Sequence, residues 1–258
     1  MENTPLNYPL ILVHGIMAKD SDFFWGRIIN YLKDHGVELY LGNTDAWADI
    51  EHNALLLRRC VNAVLKKTGK EKVNIIAHSK GGIDSRYLIS GLKYGNKIAS
   101  LTTISTPHRG SEIADYLFAI KKVQQITSTR FFRKLFIHYG DHVPNPYIML
   151  KNLTTDYMKE FNEKYVDDER VYYSSYHSFI PDPWRDMLYF HSYNYLKKKA
   201  GLNDGVVSLK SAKWGSEFNV IEGVSHSEII DLKKKTISGV DIPKLYLDIV
   251  KKLSDLGY

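Results

Sequence analysis

Short, nearly unbroken apolar runs alternate along this chain with longer stretches whose apolar residues recur every three or four positions. Residues 9–14 (Pro9, Leu10, Ile11, Leu12, Val13, His14) form the first run, the pattern of a strand covered on both faces. Phe23, Phe24, Ile28, Ile29 and Leu32 then follow at helical spacing, closed by Gly36, and residues 37–41 read as a second strand. An amphipathic helix over 54–65 ends before Gly69, a third buried strand covers 73–77, a helix covers 83–92 and stops before Gly95, and a fourth strand covers 98–104. This alternation predicts an α/β fold, with a mostly parallel central sheet and helices on both faces.

The rhythm breaks over 111–170. Apolar helical pieces at 113–120 and 131–137 alternate there with basic residues, and Pro144 and Pro146 interrupt them. Strand character resumes at 171–176, with further sheet segments expected at Val206-Val207 and 218–221 and a closing helix over 242–253. No internal repeat or low-complexity linker divides the chain. Residues 1–258 therefore read as one domain, with 111–170 as a helical lid or cap inserted into it.

Composition narrows the picture only a little. Thirty-five Lys and Arg against 29 Asp and Glu give a net charge of +6, a mild excess that reads as a solubilising surface. The triplets Lys197-Lys198-Lys199 and Lys233-Lys234-Lys235 lack the interleaved aromatics of a nucleic-acid platform and read as solvated helix faces, so no nucleic-acid partner is expected. Cys60 is the only cysteine, which excludes an intrachain disulfide or a thiolate cluster, and its apolar helical setting predicts a buried core thiol. Residues 1–5 carry neither a basic n-region nor a long apolar run, and no run is long enough to span a bilayer. The expectation is a chain without a transmembrane anchor, either cytoplasmic or the mature form of a secreted protein.

The strongest chemical signal is Ala77-His78-Ser79-Lys80-Gly81-Gly82, where a strand runs straight into a serine flanked by small residues and a helix follows. A nucleophile presented on a strained strand-to-helix turn needs that pattern, because bulk on either side would collide with the turn. Ala77 departs from the usual glycine by one methyl group. A negative charge developing on a substrate carbonyl needs preorganised N–H donors. The N–H of Lys80, directly after the serine, is one candidate; the N–H of Ile16, aimed by the turn at Gly15, is the other. The Lys80 side chain is expected to face solvent.

A base and a carboxylate should follow the central insertion. Of the later histidines, His191 lies in a helical run, whereas His226 lies in a loop between a strand and the last helices, where an imidazole can reach the serine. Asp204 opens a turn before Val206-Val207, while Asp182 and Asp186 sit in a proline-rich segment with no strand ahead. Ser79, His226 and Asp204 are thus read as nucleophile, base and orienting carboxylate.

Taken with Ser105-Thr106-Pro107-His108-Arg109-Gly110-Ser111 and Asn203-Asp204-Gly205-Val206-Val207-Ser208, these stretches resemble the bacterial triacylglycerol lipases of the α/β-hydrolase superfamily. The resemblance implies an α/β-hydrolase fold and a serine esterase or lipase cleaving acyl esters through an acyl-enzyme on Ser79. It also implies an ester or lipid substrate, transient contact with a lipid interface, and a lid over an apolar acyl site that Phe118, Phe131, Phe132, Phe136, Tyr147 and Phe161 line or shield. The chemistry requires no cofactor. Relatives often hold a structural calcium near the histidine loop; Asp182 and Glu228 fall at comparable positions, but Leu232 stands where a polar ligand is usual, so calcium is not favoured. Two alternatives stay open. The same three side chains serve thioester, amide or polyester substrates, and the fold also exists as a non-catalytic binding scaffold.

Overall fold

The computed structural model describes residues 5–21 and 23–258. Among these, the apolar runs become six strands: Leu10–Val13 (β1), Leu39–Leu41 (β2), Val73–His78 (β3), Ile98–Ile104 (β4), Tyr172–Phe179 (β5) and Glu217–Glu222 (β6). All neighbours pair in parallel, in the order β2-β1-β3-β4-β5-β6. The chain thus starts inside the sheet, moves outward to β2, and crosses back to β3. That reversal opens a crevice at the carboxyl ends of β1 and β3, where parallel sheets bind their ligands.

Burial on both faces explains the unbroken runs. Leu10 and Leu12 pack with Trp25, Ile28, Ile76 and Tyr246 on one side, beneath the helix Ile28–Asp34 (α1) and the last helix, Ile242–Asp255 (α11). Ile11 and Val13 pack on the other with Leu57, Val61, Ile75 and Leu101, beneath Ile50–Thr68 (α2). The Asp49 carboxylate caps α2 by accepting the His52 N–H (2.8 Å), and Gly69 ends it in a left-handed conformation. Lys80–Arg86 (α3) follows β3 directly and runs into one π turn at Tyr87–Gly91.

Between β4 and β5 the chain inserts Glu112–Ala119 (α4), Lys121–Thr127 (α5), Arg130–His138 (α6), Pro146–Asn152 (α7) and Thr155–Lys164 (α8). These helices are not equally anchored. Met149, Met158 and Phe161 from α7 and α8 join Ile50 and Ile83 in a third apolar cluster, whereas α5 buries no residue and α6 buries only Phe136. After α6 the chain is fastened to the loop following β2. Asp141 accepts the N–H groups of Ala46 (3.0 Å) and Trp47 (2.8 Å), and Asp45 accepts those of His142 and Val143 (both 2.8 Å). Phe190–Ala200 (α9) and Leu209–Ala212 (α10) then separate β5 from β6.

Three expected elements differ. Helix α1 begins at Ile28 and leaves Phe23 exposed, because Gly26 adopts φ +53° and a side chain there would meet the Asp231 carbonyl at 2.2 Å. Strand β2 shortens because the Val37 N–H closes α1 on the Leu32 carbonyl (3.1 Å). Val206-Val207 forms no strand, since both N–H groups donate to the Asp204 carboxylate (2.9 and 2.8 Å). Cys60 is only half-buried; its thiol donates to the Leu41 carbonyl (3.2 Å), and burial together with Asp20 pushes its pKa up to about 11.

The two faces of α2 make a direct test of this register. Leu57 is fully buried and Leu55 is 37% exposed. Leu57→Ala is expected to lower the unfolding free energy in urea by about 2–5 kcal/mol, and Leu55→Ala by about 0.5 kcal/mol or less. Equal losses would mean that the helix is rotated.

Candidate active site

Ser79 stands between β3 and α3 with φ +53° and ψ −129°, a conformation that costs a non-glycine residue about 1–3 kcal/mol. The neighbours hold it there. Its N–H donates to the Ile104 carbonyl (2.8 Å), and its carbonyl accepts the Thr106 hydroxyl (2.8 Å). The space around the turn explains the small flanking residues. A side chain at Gly81 would meet the His14 carbonyl at 2.4 Å, and one at Gly82 would meet the Thr106 hydroxyl at 2.2 Å.

The three residues singled out from the sequence come together from 147 positions apart. The Ser79 hydroxyl lies 3.1 Å from His226 Nε2, and His226 Nδ1 lies 2.7 Å from Asp204 Oδ2. All three are buried, and the His226 N–H also donates to the Asp204 carbonyl (3.0 Å). Burial alone would raise the Asp204 pKa. The His226 imidazole, its hydrogen bond, His177 and the Val207 N–H outweigh that and hold the carboxylate well below the usual range. Asp204 therefore stays ionised and fixes His226 with Nδ1–H toward it, leaving Nε2 free to accept a proton from the serine. Asp182 and Asp186 take no part, and His191 lies exposed on α9.

On the far side of Ser79, Gly15 presses so close that a side chain there would stand 2.7 Å from the serine Cβ. The buried His14 imidazole contacts the Gly15 carbonyl through Nδ1 (2.8 Å) and the Thr44 carbonyl through Nε2 (2.9 Å). Fixing that carbonyl turns the Ile16 N–H, on the opposite edge of the same peptide, the other way. Lys80 opens α3, so its N–H has no acceptor within the helix. The Lys80 side chain departs from expectation. It is buried and donates to both oxygens of Asp84 (2.7 and 2.9 Å), which Asn53 also contacts. Its ammonium braces the first turn of α3 against α2 instead of facing water.

Several buried histidines surround the site, and sequence reading did not single them out. His78 lies against His226 with ring centroids 4.7 Å apart and reaches the His226 carbonyl (3.2 Å). Burial and the neighbouring His226 push its pKa well down. His177, 3.9 Å from Asp204, is lowered by burial to about 4 despite that carboxylate. These rings are neutral packing at pH 7, leaving His226 as the imidazole that faces the serine.

The loop bearing His226 is clamped from behind. Ser225 donates its N–H to Glu228 Oε2 (2.9 Å) and its hydroxyl to Asp186 Oδ2 (2.7 Å). Lys233 Nζ lies 2.7 Å from Glu228 and 3.1 Å from Asp186, and Arg185 lies 3.4 Å from Glu228. Lys233 is thus engaged, contrary to its reading as part of a solvated face. Asp182 does not converge on Glu228; it is exposed and accepts the Trp184 N–H (2.9 Å). Leu232 packs against the core beneath α1 and α11. A calcium ion needs six or more oxygens. Here the inward carboxylates already carry two cationic side chains, and no group of three or more His, Cys, Asp or Glu among the described residues is arranged to hold a metal. The residues present do not fit the ion.

Beyond Ile16 the chain borders an apolar cleft of about 300 Å³, lined by Met17, Phe24, Trp47, Phe136 and Tyr139. Phe136 stacks on Trp47 (4.2 Å) and Phe132 meets Phe136 edge-on. Phe161 is elsewhere, packed against Tyr87 and Tyr165. A larger cleft of about 500 Å³ around Arg109, Asp167 and Trp214 contains none of the three relay residues.

Residues 7–108 match the family model described as Lipase (class 2). The chain is 33% identical to Triacylglycerol lipase 2 of Saccharomyces cerevisiae over 261 residues, covering 91% of this chain and 74% of that protein. It is 24% identical to the triacylglycerol lipase of Pseudomonas fragi over 97% of both chains. The crystal structure of Staphylococcus hyicus lipase superposes with a TM-score of 0.79 at 19% identity, over 99% of this chain and 97% of that one.

The buried His177 predicts a pH dependence of stability. Between pH 6.5 and about 4 the unfolded chain binds a proton at this residue and the folded chain does not, so unfolding becomes easier as pH falls through that window. Urea titrations should show a contribution of about 1.4 kcal/mol per pH unit there, absent from His177→Gln. A variant with the wild-type slope would remove His177 as its source.

Proposed function

Since the chain belongs to a lipase family of the α/β-hydrolase type and is a lipase-like carboxylic ester hydrolase, we propose that it cleaves acyl esters of glycerol through an acyl-enzyme on Ser79. The observation that carries this reading is the continuous hydrogen-bonded series from Asp204 through His226 to Ser79. His226 Nε2 takes the serine proton as the oxygen attacks the ester carbonyl carbon. The resulting oxyanion is assigned to the N–H groups of Ile16, next to Gly15, and of Lys80 at the start of α3, because such a charge is best met by preorganised donors. Collapse expels the alcohol, which leaves with the proton held by His226. Water then attacks the acyl-enzyme, giving its proton to the same nitrogen, and the acid is released as that proton returns to Ser79. Asp204 stays ionised throughout and stabilises the imidazolium. No step calls for a cofactor.

The acyl chain is assigned to the apolar cleft beside Met17, Trp47 and Phe136, continuous with the oxyanion loop. Within the insertion, α5 and α6 are the movable lid, and α7 and α8 are fixed by their buried residues and by the fastening at 141–143. Phe131, 79% exposed, lies on α6 with Leu135 and Ile137, and Tyr139 follows; this apolar surface is suited to transient contact with a lipid interface. No helix among the described residues is long and apolar enough to cross a membrane.

Ser79→Ala is expected to abolish labelling by a fluorophosphonate probe, and persistent labelling would place the nucleophile elsewhere. Asp204→Asn should lower kcat on a soluble short-chain ester by about 10⁴-fold with the fold intact, because His226 loses the tautomer that leaves Nε2 free. A panel of esters of increasing chain length beside an amide and a thioester should favour the esters. Phe131→Asp with Ile137→Asp should impair hydrolysis of emulsified long-chain ester far more than hydrolysis of the soluble one. Equal loss on both substrates would refute the interface role.

A further inference from the structure

Nothing in the proposed reaction uses the four charges behind His226. Asp186 and Glu228 are almost wholly buried, while the Lys233 side chain is 39% exposed and covers them from the surface. Both carboxylates hold Ser225, the residue before His226, one through its hydroxyl and the other through its N–H. Arg185, the second cation, contacts Glu228 and also reaches the Ser238 hydroxyl (3.2 Å), which donates to the Gly223 carbonyl (3.0 Å) at the start of the same loop. Two buried carboxylates converging on one residue repel each other unless a cation lies between them, and Lys233 Nζ is within hydrogen-bond distance of both.

We infer that Lys233 is a positioning residue, an internal ammonium that holds Asp186 and Glu228 together on Ser225 and so fixes His226 against Ser79 without a divalent cation. The inference rests on the proposed roles of Ser79 and His226. Charge balance supports it, because Lys233 and Arg185 neutralise Asp186 and Glu228 one for one. Burial by itself would lower the Lys233 pKa, but the hydrogen bonds to Glu228 and Asp186 outweigh it and raise the pKa, so the ammonium persists across the working pH range. Losing the Lys233 ammonium leaves Arg185, on Glu228, as the one cation against two desolvated carboxylates, and the excess charge is relieved when Asp186 swings out. Ser225 then loses a hydrogen bond and His226 Nε2 drifts from the serine oxygen. A displacement of about 1 Å at a reacting group costs about 10²-fold in rate.

The test compares Lys233→Met and Lys233→Arg with the wild type, using kcat and KM on a soluble short-chain ester, the rate of fluorophosphonate labelling, and Tm. Lys233→Met is expected to lose about 10²-fold in kcat and in labelling rate with KM little changed, and Lys233→Arg to recover most of both. Wild-type kcat and Tm should be the same in EDTA and in added calcium. If Lys233→Met does not fold, Lys233→Gln, whose amide still donates to one carboxylate, carries the same comparison. A variant that loses only Tm, with kcat and labelling rate intact, would make the cluster merely structural. A wild type that loses kcat and Tm in EDTA and regains them with calcium would assign the role to a metal. Ser79→Ala, labelled in parallel, separates this inference from the reading beneath it, since its continued labelling would overturn the nucleophile whatever Lys233 does.

Discussion

The positive φ of Ser79 is the constraint on which the site is built. A strand ending in an ordinary conformation would bury this hydroxyl between sheet and helix; the strained turn lifts it into the crevice between β1 and β3. The strain is held by packing from both flanks: the Ile104 carbonyl at the end of β4, the Thr106 hydroxyl just after it, the Gly15 backbone after β1, and the tight approach of Gly81 to the β1 end. The contacts come from the two strands that flank β3 and the turns that follow them. The sheet order therefore matters chemically as well as architecturally, because β3 must lie between β1 and β4 for all of them to reach the same residue.

Around that turn, charge is handled in two different ways. Within the relay, Asp204 is buried but surrounded by donors, so it stays ionised and orients one imidazole. Outside it, His78 and His177 are stripped of water without enough compensating charge and remain neutral. Burial of the same residue type thus gives one imidazole that joins Ser79 to Asp204 and two packing rings, and the difference lies in which polar partners each ring meets. Lys80 shows the same logic for a cation. It follows the nucleophile in sequence, yet its ammonium turns inward to Asp84 and stabilises the helix that presents the serine.

The insertion divides along similar physical lines. Helices α7 and α8 contribute Met149, Met158 and Phe161 to the core and belong to the scaffold. Helices α5 and α6 bury little, present aromatic and aliphatic side chains outward, and join the scaffold at the fastening of Asp141 and Asp45.

Periodicity was enough to place the central strands β1, β3 and β4 and most of the helices, because burial on both faces favours apolar runs. The motif around Ser79 was legible for a related reason: a tight turn excludes bulk, and that exclusion is written in residue size. His226 and Asp204 were legible by order and loop setting. Other features depended on contacts that local pattern does not encode. Gly26 and Asp231 lie 205 positions apart, yet together they delay α1. Val206 and Val207 have strand propensity, but their N–H groups belong to Asp204. Lys80 and Lys233 read as solvated because a lysine without its partner in view belongs in water. Sequence determined the central sheet and the tight turn at the serine, since these follow from burial and size along the chain, and it pointed to Asp204 and His226 through their order and loop setting. Tertiary structure alone decided which charges meet behind the imidazole, because ion pairs are made by convergence in space of residues with no shared local signal.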